Sequence, residues 1–378
     1  MRGISDTIAR MASAAKQGAF ATGHEPTRLR PLEDFGANPG ALKAYVHIPD
    51  GLGANFPLVV ILHGCTQSAA GYDRASGWSQ LADEQGFGLL YAEQQRANNP
   101  NGCFNWFESG DTRRGSGEAL SIHQMIEAVQ QRYAIDPARI FVTGLSAGGA
   151  MTSTMLAVYP ELFAGGAVIA GLPHGAASGM VQAFDRMRGH GLPSPAALHK
   201  ALRDASDHIG PWPKLSVWHG DADTTVSIDN AEAVLAQWRA VHGLAEEPTA
   251  VDRISGASHR VWKGADGETL VEAFIIPGMG HGTPLDTVGE GAYGQAGPYM
   301  LDVGISSTFR IAQFWGIAQA GAPRADQAHE AVAEPGGAPV AIDGRRLQGR
   351  RIEPDAVPGA AGVTKVIEDA LRAAGLMK

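Results

Sequence analysis

The residues Gly144-Leu145-Ser146-Ala147-Gly148 follow a short apolar run at 140–143 and open a stretch with helical spacing at 147–159. A serine held between two glycines at a strand-to-helix turn is a nucleophile elbow. The glycines let strand and helix cross closely while the hydroxyl is held outward. The helix N-terminus behind it places partial positive charge where an oxyanion would form. A five-residue match alone also occurs in glycine-rich turns with an idle serine; the strand–turn–helix setting is what separates the two. Ser146 is therefore the candidate nucleophile for an acyl-transfer reaction.

An elbow serine is inert without a base and an acid, which follow it in the order Asp, His in chains of this kind. The apolar run at 215–219 leads into Gly220-Asp221-Ala222-Asp223-Thr224-Thr225-Val226. A carboxylate just past a strand end suits the acid, and two are available, Asp221 and Asp223. The run at 271–276 ends in Pro277-Gly278-Met279-Gly280-His281-Gly282. Chain order and flanking glycines select His281 as the base over His242 at a helix end, His259 beside an arginine, and His329 far downstream. The tetrahedral intermediate also needs N–H donors. Ala147, after the nucleophile, supplies one, and the loop Leu62-His63-Gly64-Cys65 supplies the other through Cys65 or its neighbour. His63 precedes the nucleophile and reads as a structural side chain.

These residues need a scaffold that brings strand ends together. Apolar runs without alternation at 58–62, 87–91, 140–143, 167–170 and 215–219 read as strands buried on both faces, as in a parallel sheet. Residues 41–48 alternate like a half-buried strand. Helical patterns fall between the runs at 78–85, 118–133, 147–159 and 228–242, with a last one at 309–315. The pattern predicts an α/β fold of the α/β-hydrolase type, a mostly parallel central sheet with helices on both faces and its site at the carboxyl ends of the strands. Residues 1–40 read as an N-terminal arm and 41–318 as the catalytic domain. Residues 319–378 read as a Gly/Pro-rich tail ending in a short amphipathic stretch at 363–376.

Bulk properties exclude several classes. The 378 residues are 44% hydrophobic and 18% charged, an ordinary globular balance. A net charge of -9 without a cluster of Lys and Arg argues against nucleic acid as a partner. No run approaches the roughly 20 apolar residues of a membrane span. Residues 1–20 are broken by Asp6, Arg10 and Lys16 and lack the apolar stretch of roughly 7–15 residues of a secretory leader. The two cysteines, Cys65 and Cys103, lack zinc-site spacing and read equally well as free thiols or as one bridge.

Several longer motifs resemble polyhydroxybutyrate depolymerase-family esterases. They are Leu62-His63-Gly64-Cys65-Thr66-Gln67, Glu93-Gln94-Gln95-Arg96-Ala97-Asn98-Asn99-Pro100, Cys103-Phe104-Asn105-Trp106-Phe107, residues 144–149, Trp218-His219-Gly220-Asp221-Ala222-Asp223 and Gly278-Met279-Gly280-His281-Gly282-Thr283-Pro284. The resemblance spans residues 40–318. It implies a serine carboxylesterase acting on short-chain polyhydroxyalkanoate or its oligomers, without metal or organic cofactor. Its H-G-x-x-D-x-x-V pattern puts the acid at Asp223, with Val226 completing the match, and leaves Asp221 as a turn residue bonding its own backbone. It also implies a Cys65–Cys103 disulfide that closes a loop of about 38 residues, stabilises the fold by up to about 4 kcal/mol, and clamps the oxyanion loop against Asn105 and Trp106. Asn105 and Trp106 are then candidate substrate-binding residues; Trp106 and Phe107 read either as the lining of a polyester groove or as ordinary core aromatics.

The resemblance points to an extracellular location, whereas the absence of a visible leader leaves the cytoplasm as the alternative. The tail is too short for a polymer-binding domain, so soluble oligomers, amorphous polyester or small esters are the expected substrates. Rival readings are a feruloyl or acetylxylan esterase, an acyltransferase, and a non-catalytic protein of polymer granules.

Overall fold

A computed structural model describes residues 27–288 and 292–320. The first 26 residues of the arm and the amphipathic stretch at 363–376 lie outside the described residues. The strands are β1 (Arg30–Pro31), β2 (Lys43–His47), β3 (Phe56–Leu62), β4 (Gly88–Glu93), β5 (Ile135–Leu145), β6 (Gly165–Ile169), β7 (Lys214–Gly220), β8 (Ala250–Ile254), β9 (Ala257–Lys263), β10 (Thr269–Ile276), β11 (Thr283–Leu285) and β12 (Met300–Asp302). The first ten form one sheet in the order β1-β2-β4-β3-β5-β6-β7-β10-β9-β8, and β11 and β12 form a small second one. Pairing is parallel from β4 through β10 and antiparallel at both margins.

The helices are α1 (Ala69–Ser76), α2 (Trp78–Gln85), α3 (Gly117–Arg132), α4 (Ala147–Val158), α5 (Met180–Met187), α6 (Pro195–Arg203), α7 (Asp229–His242) and α8 (Ser307–Phe314). Successive side chains of a strand point to opposite faces, and the two cores divide accordingly. Leu58, Val60 and Leu62 of β3 pack with Ile122 and Met125 of α3, Met151 and Met155 of α4, and Val234 and Trp238 of α7. Val59 and Ile61 pack on the other face with Trp78 and Leu81 of α2 and Ile311 of α8. Because both faces are covered, β3 is buried along its whole length, which is why it carries no alternation in the sequence. The fold is the expected mostly parallel sheet between two layers of helices.

The structure adds elements that the sequence pattern did not announce. The β8–β9 hairpin extends the sheet beyond β10, and β8 is exposed at four of its five positions. Asp252 and Arg253 belong to that strand, and charged residues there discourage pairing with another chain. From Leu29 onward, the segment read as part of an arm lies on the body: Leu29 and Leu32 are buried, and β1 pairs with β2. Among the described residues, no helix is long and apolar enough to cross a membrane.

Candidate active site

β5 ends at Leu145 and α4 begins at Ala147, so Ser146 makes the whole turn. Its backbone takes φ 58° and ψ -116°, a conformation costly for a residue with a Cβ and persistent only where the surroundings enforce it. They do so on both sides. The Ser146 N–H donates to Ile169 O at 2.9 Å, and its carbonyl accepts from Ala150 N–H at 2.9 Å. A Cβ at Gly148 would lie 2.2 Å from Leu62 O, and one at Gly144 would lie 2.4 Å from Gly148 O. The two glycines are what allow the helix to pass this close to β3 and β5.

Asp223 follows β7 and His281 follows β10, the parallel neighbour of β7. Both therefore lie beyond the carboxyl ends of strands on the same margin of the sheet as Ser146. The His281 Nδ1–H donates to Asp223 Oδ2 at 2.6 Å, which leaves Nε2 as the ring nitrogen available to a reacting group. Asp223 Oδ1 accepts the N–H groups of Thr225 (2.8 Å) and Val226 (2.9 Å). Burial alone would raise the Asp223 pKa. The hydrogen bond and charge of His281, with His219 and the Val226 N–H, outweigh it and hold the carboxyl below its usual range. His219 is itself buried, which lowers its pKa, and its Nε2–H donates to Val226 O at 2.9 Å.

Asp221 has another task. Its Oδ1 accepts the N–H of Gly278 at 2.6 Å, so it fastens the loop carrying His281 to the loop carrying Asp223. This corrects the expectation that it bonds its own turn. Gly220 permits the same closure, since a Cβ there would lie 2.1 Å from Met279 O.

On the other side of the elbow, His63 is buried and both ring nitrogens are used. Nδ1–H donates to Gly64 O at 2.7 Å, and Nε2 accepts from Gln94 N–H at 3.1 Å. Burial holds its pKa below the usual histidine range, so His63 is a neutral strut rather than a base. Among the described residues, no hydrogen bond is made by the N–H groups of Cys65 and Ala147, so both can donate to a reacting oxygen.

The Cys65 loop is secured covalently and by a buried polar network. Cys65 and Cys103 form a disulfide. Gln94 Nε2 donates to Cys103 O at 3.1 Å and to Glu118 Oε1, while Glu118 Oε2 accepts Asn105 N–H at 2.9 Å. Gln94 Oε1 accepts from Asn98 Nδ2 at 2.8 Å, and Asn99 Nδ2 donates to Asn105 Oδ1 at 3.0 Å. The 93–100 motif is thus a scaffold for the segment around Asn105. Replacing both cysteines by serine is expected to cost up to about 4 kcal/mol, the chain-entropy value for so long a loop. A urea-denaturation comparison checks it, and an unchanged midpoint would refute it.

Glu118 was not singled out by the sequence. It is buried on α3, and burial, reinforced by Asp111, raises its pKa to about 8. An acid whose pKa rises on folding loses stability as the unfolded chain ionises first. The native chain is therefore expected to become less stable as the pH rises from about 4.5 to about 8. Glu118→Gln should flatten that decline in urea midpoints measured across the window; an equally steep decline would contradict the assignment.

Trp106 and Phe107 are buried and belong to a small cluster with Ala147, Ala150, Leu172 and Val226, against which Cys65 and Cys103 pack. Their rings meet edge to face at 5.4 Å. Among the described residues, no group of His, Cys, Asp and Glu is arranged to hold a metal ion.

A family model described as esterase PHB depolymerase matches residues 42–261. The chain belongs to that family. It is 48% identical over 291 residues to poly(3-hydroxyalkanoate) depolymerase C of Paucimonas lemoignei, a match covering 76% of this chain and 70% of that one. It is 31% identical over 270 residues to feruloyl esterase B of Talaromyces stipitatus, covering 68% and 73% of the two chains. It is 32% identical over 264 residues to an acetylxylan esterase of Coprinopsis cinerea, covering 68% and 70%. An acetyl xylan esterase from Aspergillus awamori shares the fold, with a TM-score of 0.65 at 24% identity, over 77% of this chain and 99% of that one. Membership of this family makes the chain an enzyme that hydrolyses ester bonds.

Proposed function

We propose that the chain is a serine carboxylesterase hydrolysing short-chain polyhydroxyalkanoate, in amorphous or oligomeric form, through an acyl-enzyme. The reading rests chiefly on one observation: a histidine donates Nδ1–H to a buried carboxylate at 2.6 Å, on the sheet margin that also carries a strained elbow serine. The substrate class is carried over from the depolymerase that is 48% identical.

In this mechanism His281 Nε2 takes the Ser146 proton as the hydroxyl oxygen attacks the ester carbonyl. Asp223 fixes the tautomer with Nδ1 protonated and stabilises the imidazolium that forms. The N–H groups of Cys65 and Ala147 receive the negative oxygen. The proton then passes from His281 to the leaving alkoxide, which departs as a hydroxyacid or shorter oligomer. Water, deprotonated by His281, attacks the acyl-enzyme and restores Ser146. We further propose that the chain works in an oxidising, extracellular setting, where the Cys65–Cys103 bridge persists.

Incubation with amorphous poly(3-hydroxybutyrate), with release of 3-hydroxybutyrate and its oligomers followed by chromatography, tests the substrate. Release by the native chain and none by Ser146→Ala is the expected result. Turnover confined to feruloyl or acetylated-sugar esters would replace the polyester reading with the one that the two fungal relatives represent.

A further inference from the structure

A solvent-open cavity of about 590 Å³ has Trp106 in its wall. Trp106 also packs in the cluster that contains Ala147, the residue after the nucleophile. One side chain therefore links the oxyanion side of the site to the cavity.

The charge in this cavity is unusual for a chain of net charge -9. Its wall holds Arg113, Arg114 and Arg186 against one acid, Asp204. Asp204 is already paired with Lys200, and Arg114 with Glu161 at 2.6 Å. Arg113 and Arg186 have no carboxylate partner among the described residues. Both are hydrogen-bonded to the chain, Arg186 half-buried and Arg113 exposed. Arg186 donates from Nε to Ala176 O at 3.1 Å and from Nη1 to His190 O at 2.7 Å. Arg113 donates from Nε to Ser109 O at 2.8 Å and from Nη2 to Ser109 Oγ at 3.1 Å. Each guanidinium keeps one nitrogen, Nη2 of Arg186 and Nη1 of Arg113, without a partner among the described residues. His174, also in the wall, is kept neutral by burial, with a pKa near 4. The positive charge thus comes from arginines whose planar donors suit a carboxylate.

We propose that this cavity binds the free carboxylate at the end of a hydroxyalkanoate oligomer, with Arg113 and Arg186 as the anchoring pair. The inference rests on the polyester reading given above. In such a substrate the alcohol half of each ester continues towards the end that carries the free carboxyl group. Because Trp106 joins the cavity to the cluster that holds Ala147, a carboxylate held here would draw the alcohol half of the scissile ester towards the cavity and make short hydroxyacids the leaving groups. The chain would then act on oligomers from their carboxyl ends, and each cleavage would create a new carboxylate end for the next.

The test compares kcat/KM for the linear trimer of 3-hydroxybutyrate as free acid and as its methyl ester, with p-nitrophenyl butyrate as a reference ester. The native chain is expected to favour the free acid by about tenfold, a preference that shrinks as salt is raised. Arg113→Gln and Arg186→Gln should each bring the ratio of the two rates towards one. Because Arg186 also bonds two main-chain carbonyls, Arg113→Gln is the variant that keeps the test independent of folding. Equal rates for acid and methyl ester in the native chain would overturn the assignment while leaving the polyester reading intact. Turnover of p-nitrophenyl butyrate but of neither trimer would overturn both.

Discussion

Ser146→Ala should lower ester turnover by roughly 10⁴- to 10⁶-fold, the scale seen when a serine nucleophile is removed from an intact triad. The fold should survive the change. The turn is held by the Ser146 main chain, whose N–H bonds Ile169 O and whose carbonyl bonds Ala150 N–H, and by the close approach of Gly148 to Leu62. No side-chain hydrogen bond of Ser146 caps α4. Alanine keeps the same Cβ at the same positive φ, so thermal unfolding should stay near that of the native chain. The measurement is turnover of a chromogenic short-chain ester beside a melting curve. Residual activity within a hundredfold of native, at native stability, would move the nucleophile elsewhere.

Asp223→Asn should cost about 10⁴-fold in kcat, and the geometry gives the reason. Asp223 Oδ1 accepts two main-chain N–H groups, from Thr225 and Val226. An asparagine must put its carbonyl oxygen there, which turns its NH₂ towards His281 Nδ1. His281 can then only accept at Nδ1, so its proton moves to Nε2 and that nitrogen can no longer serve as the base in the mechanism proposed above. The defect is one of tautomer, not of position. It should therefore appear in kcat with KM little changed. A loss confined to KM would show that Asp223 shapes substrate binding instead. Asp221→Asn is the natural comparison: its carbonyl oxygen can still accept the Gly278 N–H, so its effect should be far smaller.

The candidate serine and histidine were legible because glycines lie close to both and because each follows a strand-like run, an unbroken apolar one at 140–143 and one interrupted by Glu272 at 271–276. Backbone crossings that exclude a Cβ leave a sequence signature. The choice between Asp221 and Asp223 was less accessible from the residues alone, since both sit in one turn. It depends on which carboxylate faces His281 and which faces Gly278, a matter of a few ångströms that a pattern of residue types does not encode; only the family motif separated them. Glu118 did carry a signal that went unread. It lies on α3 along the apolar face formed by Ile122, Met125 and Val129, and an acid on a core-facing stripe has to be satisfied by something. His219, inside β7, which is buried from Leu215 to Gly220, carries the same kind of signal. The β8–β9 hairpin was missed for the opposite reason: an exposed edge strand buries too little to impose a period.

The chain order of the site also divides it in time. The Cys65 loop and the residues that brace it, Gln94, Asn99, Cys103, Asn105 and Glu118, all lie within the first third of the sequence, and the disulfide joins positions only 38 apart. Ser146 follows soon after, but Asp223 and His281 come from β7 and β10, far towards the other end. During synthesis from the N-terminus, the anion-receiving half of the site and the serine emerge well before the histidine that would activate it. On the mechanism proposed above, a nascent chain that has not yet made β10 lacks its base, and its first turnover must wait until β10 lies beside β7.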